Sequence, residues 1–158
     1  MRRTYETERD RDNEKRIMGR LGKYFEEVVK LPHKSVFDYA EIGRSNKGGK
    51  YIRNFIEIKK RSNPKEQYPT YMISSDKIRH AFSYINNFNV GFKLVVEWKD
   101  KTGIYTLRKN DSFNLGFNGR FDRGDWQDVE PVVYIPIGDF YEVERLPWGT
   151  FLKWETSN

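Results

Sequence analysis

Ile17, Leu21, Phe25 and Val28 or Val29 recur at intervals of three and four. This is the period of one buried helix face, so the pattern predicts a helix from about Asn13 to Lys30, stopped by Pro32. Residues 1–12 alternate in charge without an apolar period and read as an arm or as exposed first turns. SVFDYAEI (35–42) alternates and is β-branched or aromatic, which predicts a strand. The Gly-rich GRSNKGGK (43–50) follows, and YIRNFIEIKKR (51–61) reads as a second strand, giving a β-hairpin with a basic loop.

SNPKEQYPTYMIS (62–74) carries two prolines and reads as irregular. A capping serine then precedes Ile78, Ala81, Phe82 and Ile85, which predicts an amphipathic helix from Ser75 or Asp76. VGFKLVVEWKD (90–100) and TGIYTLRK (102–109) predict another hairpin, residues 110–128 a long Gly/Asn/Asp-rich loop, and VEPVVYIPIGDF (129–140) a last strand before a short tail.

With 158 residues, one domain is expected: the arm over 1–12, a core over 13–108, and a loop with a C-terminal β extension over 109–158. The apolar fraction is modest at 37%, but aromatics make up 16%, and burying large rings offsets the shortage of aliphatics. The chain has no cysteine and only two histidines, His33 and His80, which removes zinc fingers, cysteine nucleophiles and histidine-rich metal clusters. Any catalysis must then run on carboxylates, lysines or hydroxyls. No stretch approaches the roughly 18 apolar residues of a membrane span, and the first residues lack a signal-peptide core, so a cytoplasmic protein without a membrane partner is expected.

The net charge is +6 and is unevenly spread. From Gly43 to Lys65 there are eight Lys or Arg residues against one acid, Glu57; from Asp122 to Glu144 there are seven acids against one base, Arg123. A basic concentration of this kind is the footprint of a polyanion partner, because lysines and arginines displace counterions from phosphates. Lys47, Lys50, Arg53, Lys60, Arg61 and Lys77 are accordingly the expected nucleic-acid contacts.

In FIEIKK (55–60), strand alternation sends Glu57 and Lys59 to one face and Ile56 and Ile58 to the other. Such a pair alone is compatible with the solvated face of an edge strand. Asp38, however, lies on the first strand of the same hairpin, 19 residues before Glu57, and pairing can set the two carboxylates side by side. Magnesium suits that place, since it takes oxygen ligands from one or two carboxylates and completes its shell with water and phosphate oxygens. Manganese is the expected substitute. A bound metal acidifies its water and offsets charge developing on phosphorus, while a nearby lysine orients the nucleophile.

The pattern Asp38-x18-Glu57-Ile58-Lys59, following one helix and preceding another, resembles the PD-(D/E)xK nuclease superfamily, which includes restriction enzymes, Holliday junction resolvases and Mrr-like endonucleases. The resemblance implies an α/β restriction-endonuclease-like αβββαβ core, with a mixed sheet flanked by helices and the missing third strand in residues 68–74. It also implies a Mg²⁺-dependent endodeoxyribonuclease, with Asp38, Glu57 and the Ile58 carbonyl holding metal and Lys59 assisting attack. GKYFEEVV (22–29) is similar to the G-x-x-F-E helix of Mrr-like members, which maps a supporting acid to Glu26; Glu14, earlier on the same predicted helix, is the rival. Phe37 stands where the motif's proline would be. Relatives of this kind often pair, so a homodimer is one expected arrangement, and a small basic chain is compatible with a phage or mobile-element protein. The alternative is a DNA-binding module with this fold and no activity. A second E-x-K, Glu97-Trp98-Lys99, has no aspartate on a preceding hairpin partner, which favours Glu57.

Overall fold

The computed structural model describes residues 7–119 and 129–143. Helix α1 spans Glu8–Arg20 and is opened by a reciprocal cap, in which the Thr7 hydroxyl accepts from the Asp10 amide and the Asp10 carboxylate accepts from the Thr7 amide. The described part of the predicted arm is therefore helical, and the rest of it lies outside the described residues.

The predicted helix stops ten residues early. A 3-10 turn at Gly22–Tyr24 follows Leu21, and Glu27–Lys30 is strand β1. The adjacent β-branched Val28 and Val29 favour extended backbone. Ile17, Leu21 and Phe25 nevertheless reach one core cluster, with Val28 packed against it, because the turn folds back to the sheet the side helix α1 covers.

β2 (Tyr39–Arg44) and β3 (Lys50–Lys60) form the expected hairpin, closed by a turn in which Gly48 adopts φ +82°, a conformation that disfavours a side chain. β4 (Thr70–Ser74) leads directly into α2 (Ser75–Phe88), then β5 (Gly91–Glu97) and β6 (Thr102–Thr106) make the second hairpin. β7 (Asn114–Gly119), β8 (Val129–Pro136) and the short β9 (Tyr141–Glu142) complete the described chain. The long loop expected over 110–128 thus contains a strand; residues 120–128 of it lie outside the described part.

The central sheet runs β1-β2-β3-β5-β6-β9, with β3 and β5 parallel and the other neighbours antiparallel. The protein is mixed α/β, and α1-β1-β2-β3-α2-β5 is an αβββαβ order. The third strand of that core is β1, not residues 68–74: β4 is a strand, but it belongs to a separate β4-β8-β7 sheet. Two cores result, one between the central sheet and α1 (Ile17, Met18, Ile56, Ile58, Val95), the other on the opposite face under α2 and the small sheet (Phe55, Ile78, Leu94, Val133, Ile135). Among the described residues, no helix is long and apolar enough to cross a membrane.

Candidate active site

β3 is a central strand with β2 on one side and β5 on the other, so FIEIKK is not the solvated edge that the motif alone allows. Ile56 and Ile58 enter the α1 core, and Glu57 on the opposite face is 2% exposed. Burying a carboxylate is costly unless it is paired or coordinated. Glu57 is only partly compensated: Lys59 Nζ lies 3.2 Å from Oε1 and Lys77 Nζ, from the first turn of α2, 3.3 Å from Oε2, yet Oε2 has no hydrogen-bond partner. Burial pushes the Glu57 carboxyl up, the charge of Asp38 pushes it further, and Lys59 and Lys77 pull it back; the net direction is upward.

Asp38 stands one residue before β2, beside Glu57 by continuation of the Tyr39–Ile56 register. Its Oδ2 accepts from the Ile58 amide at 2.8 Å. Because a strand residue's N–H and C=O point to the same neighbour, the Ile58 carbonyl is directed to that edge, where β2 has ended. For Lys59, burial lowers the pKa, but the charges of Glu57 and Asp38 help to outweigh it and the net direction is upward, so the ammonium form is favoured. Lys59 is therefore a proton-bearing group suited to orienting water or neutralising phosphate, not to abstracting a proton.

These groups open into a cleft of about 430 Å³ between the sheet end and α1. Asp10, Asn13, Glu14 and Ile17, one helix face by their spacing, line its α1 wall, and His33, Ser35 and Val36 line the segment before β2. The sequence reading left Asp10, Asn13 and His33 unassigned; for α1 the signal was present as a polar stripe at i, i+3, i+4. Glu14 is in the cleft, where Lys30 Nζ meets Oε2 at 2.7 Å. Glu26 is not. With the helix ended at Arg20 it precedes β1, 61% exposed at the side chain, and pairs with Arg53 at 2.8 Å.

The basic segment is neutralised more than its linear count suggests. Arg44 and Lys50 pair with Glu27, Arg53 with Glu26, and Lys65 with Glu142. Lys47 is exposed in the β2–β3 loop, away from the cleft. Lys60, Arg61 and Lys77 do line the cleft, and the Arg61 guanidinium stacks 4.9 Å from the Tyr71 ring centroid.

The second E-x-K has a structural task. Arg16 of α1 grips Glu97 with two hydrogen bonds of 2.9 and 2.6 Å, fastening the helix across β5. Glu97→Gln is expected to lower stability by about 1 kcal/mol, or the melting temperature by about 2–4 °C, the pair being partly exposed. Thermal denaturation checks this.

The donor set fits a hard divalent cation. Two adjacent carboxylates, one with an unsatisfied buried oxygen, and a carbonyl at the strand edge provide the oxygen ligands and the negative charge such an ion takes, leaving room for water. Among the described residues no group of three or more His, Cys, Asp or Glu side chains gathers at ligand distance.

A solved structure similar to this chain is that of Archaeoglobus fulgidus Hjc, a Holliday junction resolvase from an archaeal hyperthermophile, at 11% identity and TM-score 0.46, covering 82% of this chain and 94% of that one. No curated protein matches the sequence. A family model described as "Phage putative PDDEXK endonuclease" matches residues 1–143. With the αβββαβ core and the Asp38, Glu57 and Lys59 cluster in view, that match identifies the chain as a member of the phage PDDEXK endonuclease family.

Proposed function

We propose that the protein is a divalent-metal-dependent endonuclease that hydrolyses DNA phosphodiester bonds at the cleft built by Asp38, Glu57 and Lys59. The observation that carries this reading is Glu57: a buried carboxylate with one oxygen that accepts no hydrogen bond and is met only by the charge of Lys77, beside a second carboxylate and Lys59, at the floor of an open cleft. Glu97 has both oxygens hydrogen-bonded by Arg16 and Glu26 is exposed, whereas Glu57 is buried with an oxygen that accepts no hydrogen bond and a second carboxylate beside it, the pattern of a functional site.

Asp38, Glu57 and the Ile58 carbonyl would hold the metal, Mg²⁺ by the hardness of the ligands and Mn²⁺ as its substitute. Bound there, the metal supplies an acidified water and an electrophile for the phosphoryl oxygens. Lys59, charged at neutral pH, orients the attacking water and offsets charge on the phosphate. Lys77 holds Glu57 from the other side, and its remaining hydrogen bond to the Val36 carbonyl fixes the wall of the cleft. Glu14, on the α1 wall, replaces Glu26 as the supporting acid. Lys60 and Arg61 line the path a phosphate backbone takes to the metal, whereas Lys47, Lys50 and Arg53, at the distal end of the hairpin, could meet DNA only beyond the cleavage point. Cutting both strands requires a second copy or sequential nicking.

Supercoiled plasmid incubated with the wild-type protein tests the reading. Nicking with Mg²⁺ or Mn²⁺ that stops with chelator is expected; salt-sensitive DNA retention without nicking under any metal contradicts it in favour of a binding module of the same fold.

A further inference from the structure

Beside the catalytic cleft lies a second one of about 280 Å³, lined mainly by apolar and aromatic residues. Leu31, Phe37, Phe55 and Tyr84 form its lining and Lys34 its charged rim. Ser35 and Val36 line both clefts, so the two adjoin on either side of one short stretch of chain. Lys77 sits at the divide: it pairs with Glu57 on one side, and its ammonium lies 5.6 Å from the Phe37 ring centroid on the other.

The aromatic arrangement is ordered. Phe37 and Phe55 stack with centroids 4.9 Å apart, and Tyr84 meets Phe55 edge-on at 4.6 Å. Tyr84 in turn leans on Phe88 at 5.8 Å, at the end of α2, where the Phe88 ring is 67% exposed and contributes little to the core. A row of rings thus runs from the solvent-facing Phe88 to a ring-lined slot next to the carboxylates. The slot is smaller than a drug-sized ligand site; Phe37 and Phe55 are buried at its base, and Tyr84 and the rim of Lys34 and Ser35 bring ring and polar groups together at its mouth.

We propose that this cleft receives one unpaired nucleobase of the DNA whose phosphate occupies the catalytic cleft, so that the preferred substrate carries an unpaired nucleotide beside the scissile bond. The inference rests on the nuclease reading for the phosphate's position. A nucleobase is the occupant that fits both halves of the geometry: every base has a π face that stacks on aromatic rings without regard to sequence, and its own phosphates lie within reach of Lys34 and Lys77. Bases inside a matched duplex are stacked and cannot enter, whereas a bulge, flap or branch presents a base that costs little to extrude.

The test is equilibrium binding by fluorescence anisotropy in chelator, comparing duplexes with a one-nucleotide bulge bearing a base and the same bulge made abasic. Wild type is expected to bind the base-bearing bulge about tenfold or more tighter, the range that base–aromatic stacking supports. Tyr84→Leu and Phe88→Ala are expected to erase most of that difference while leaving affinity for matched duplex unchanged; Phe88, being exposed, can be altered without disturbing the core. Equal affinities for the two bulges in wild type overturn the proposal, as does a preference kept in full by whichever variant folds. Because binding is read without metal, a protein that never nicks plasmid contradicts the nuclease reading while this comparison still decides the subsite.

Discussion

Asp38→Asn is expected to reduce metal-dependent DNA cleavage by at least about a thousandfold, equivalent to about 4 kcal/mol of lost transition-state stabilisation. The substitution is chosen because it is structurally quiet. The asparagine oxygen can still accept the Ile58 amide that now bonds Oδ2 at 2.8 Å, so the end of β2 keeps its anchor on β3. What disappears is one negative charge from a pair that repels itself in the absence of a cation. The expected phenotype is therefore a folded protein that retains DNA but cuts it at background rate. Single-turnover cleavage assays with saturating protein measure this, and a variant within tenfold of wild type contradicts the assignment of Asp38.

The second large effect is on stability. The buried, half-compensated Glu57 opposes folding of the metal-free protein: its folded-state pKa is raised, so stability falls as pH climbs from the unfolded value through the folded one. A cation that binds only the folded site reverses that. At a hundredfold excess over its dissociation constant it adds about 2.7 kcal/mol, and for a domain of this length that corresponds to a melting-temperature rise of roughly 5–10 °C. Differential scanning fluorimetry in chelator, Mg²⁺ and Mn²⁺ reads the shift, which Asp38→Asn and Glu57→Gln should each largely remove. Glu97→Gln should keep it, since Glu97 is already satisfied by Arg16 and lies outside the cleft lining.

The sequence was most legible where a local pattern and the tertiary packing agree. Ile78, Ala81 and Ile85 predicted α2 and are its buried residues, and alternation in FIEIKK correctly separated Glu57 from Ile56 and Ile58. It failed where one apolar spacing served two structures. Phe25 and Val28 fit a helical stripe with Ile17 and Leu21, but they reach the same core from a turn and a strand, a distinction that periodicity cannot make. That single error put Glu26 into the predicted site and hid β1, the third strand of the core. The charge count misled for a related reason: strand pairing brings Glu27 to Arg44 and Lys50, contacts invisible in a linear window. Burial of Glu57 was likewise illegible, because only the sheet order β2-β3-β5 makes its strand central. Asp38, Glu57 and Lys59 were nominated from the hairpin because its register is local and the motif lies within it, whereas Ile58 came only from the resemblance to the nuclease superfamily.

The most direct measurement of the central claim is the cleavage of supercoiled plasmid by wild type and Lys59→Ala, run side by side in Mg²⁺. Lys59 is the group that the account makes catalytic without making it a metal ligand; because it also pairs with the buried Glu57, its loss is expected to lower the stability of the metal-free protein, so the two proteins are compared at a temperature where both are folded. The account predicts nicking by wild type and a loss of at least about a hundredfold in the variant, the scale of one lost charge or proton-handling group at the reacting centre. Equal nicking by the two proteins would contradict it and return Lys59 to the role of a counter-ion for a buried glutamate.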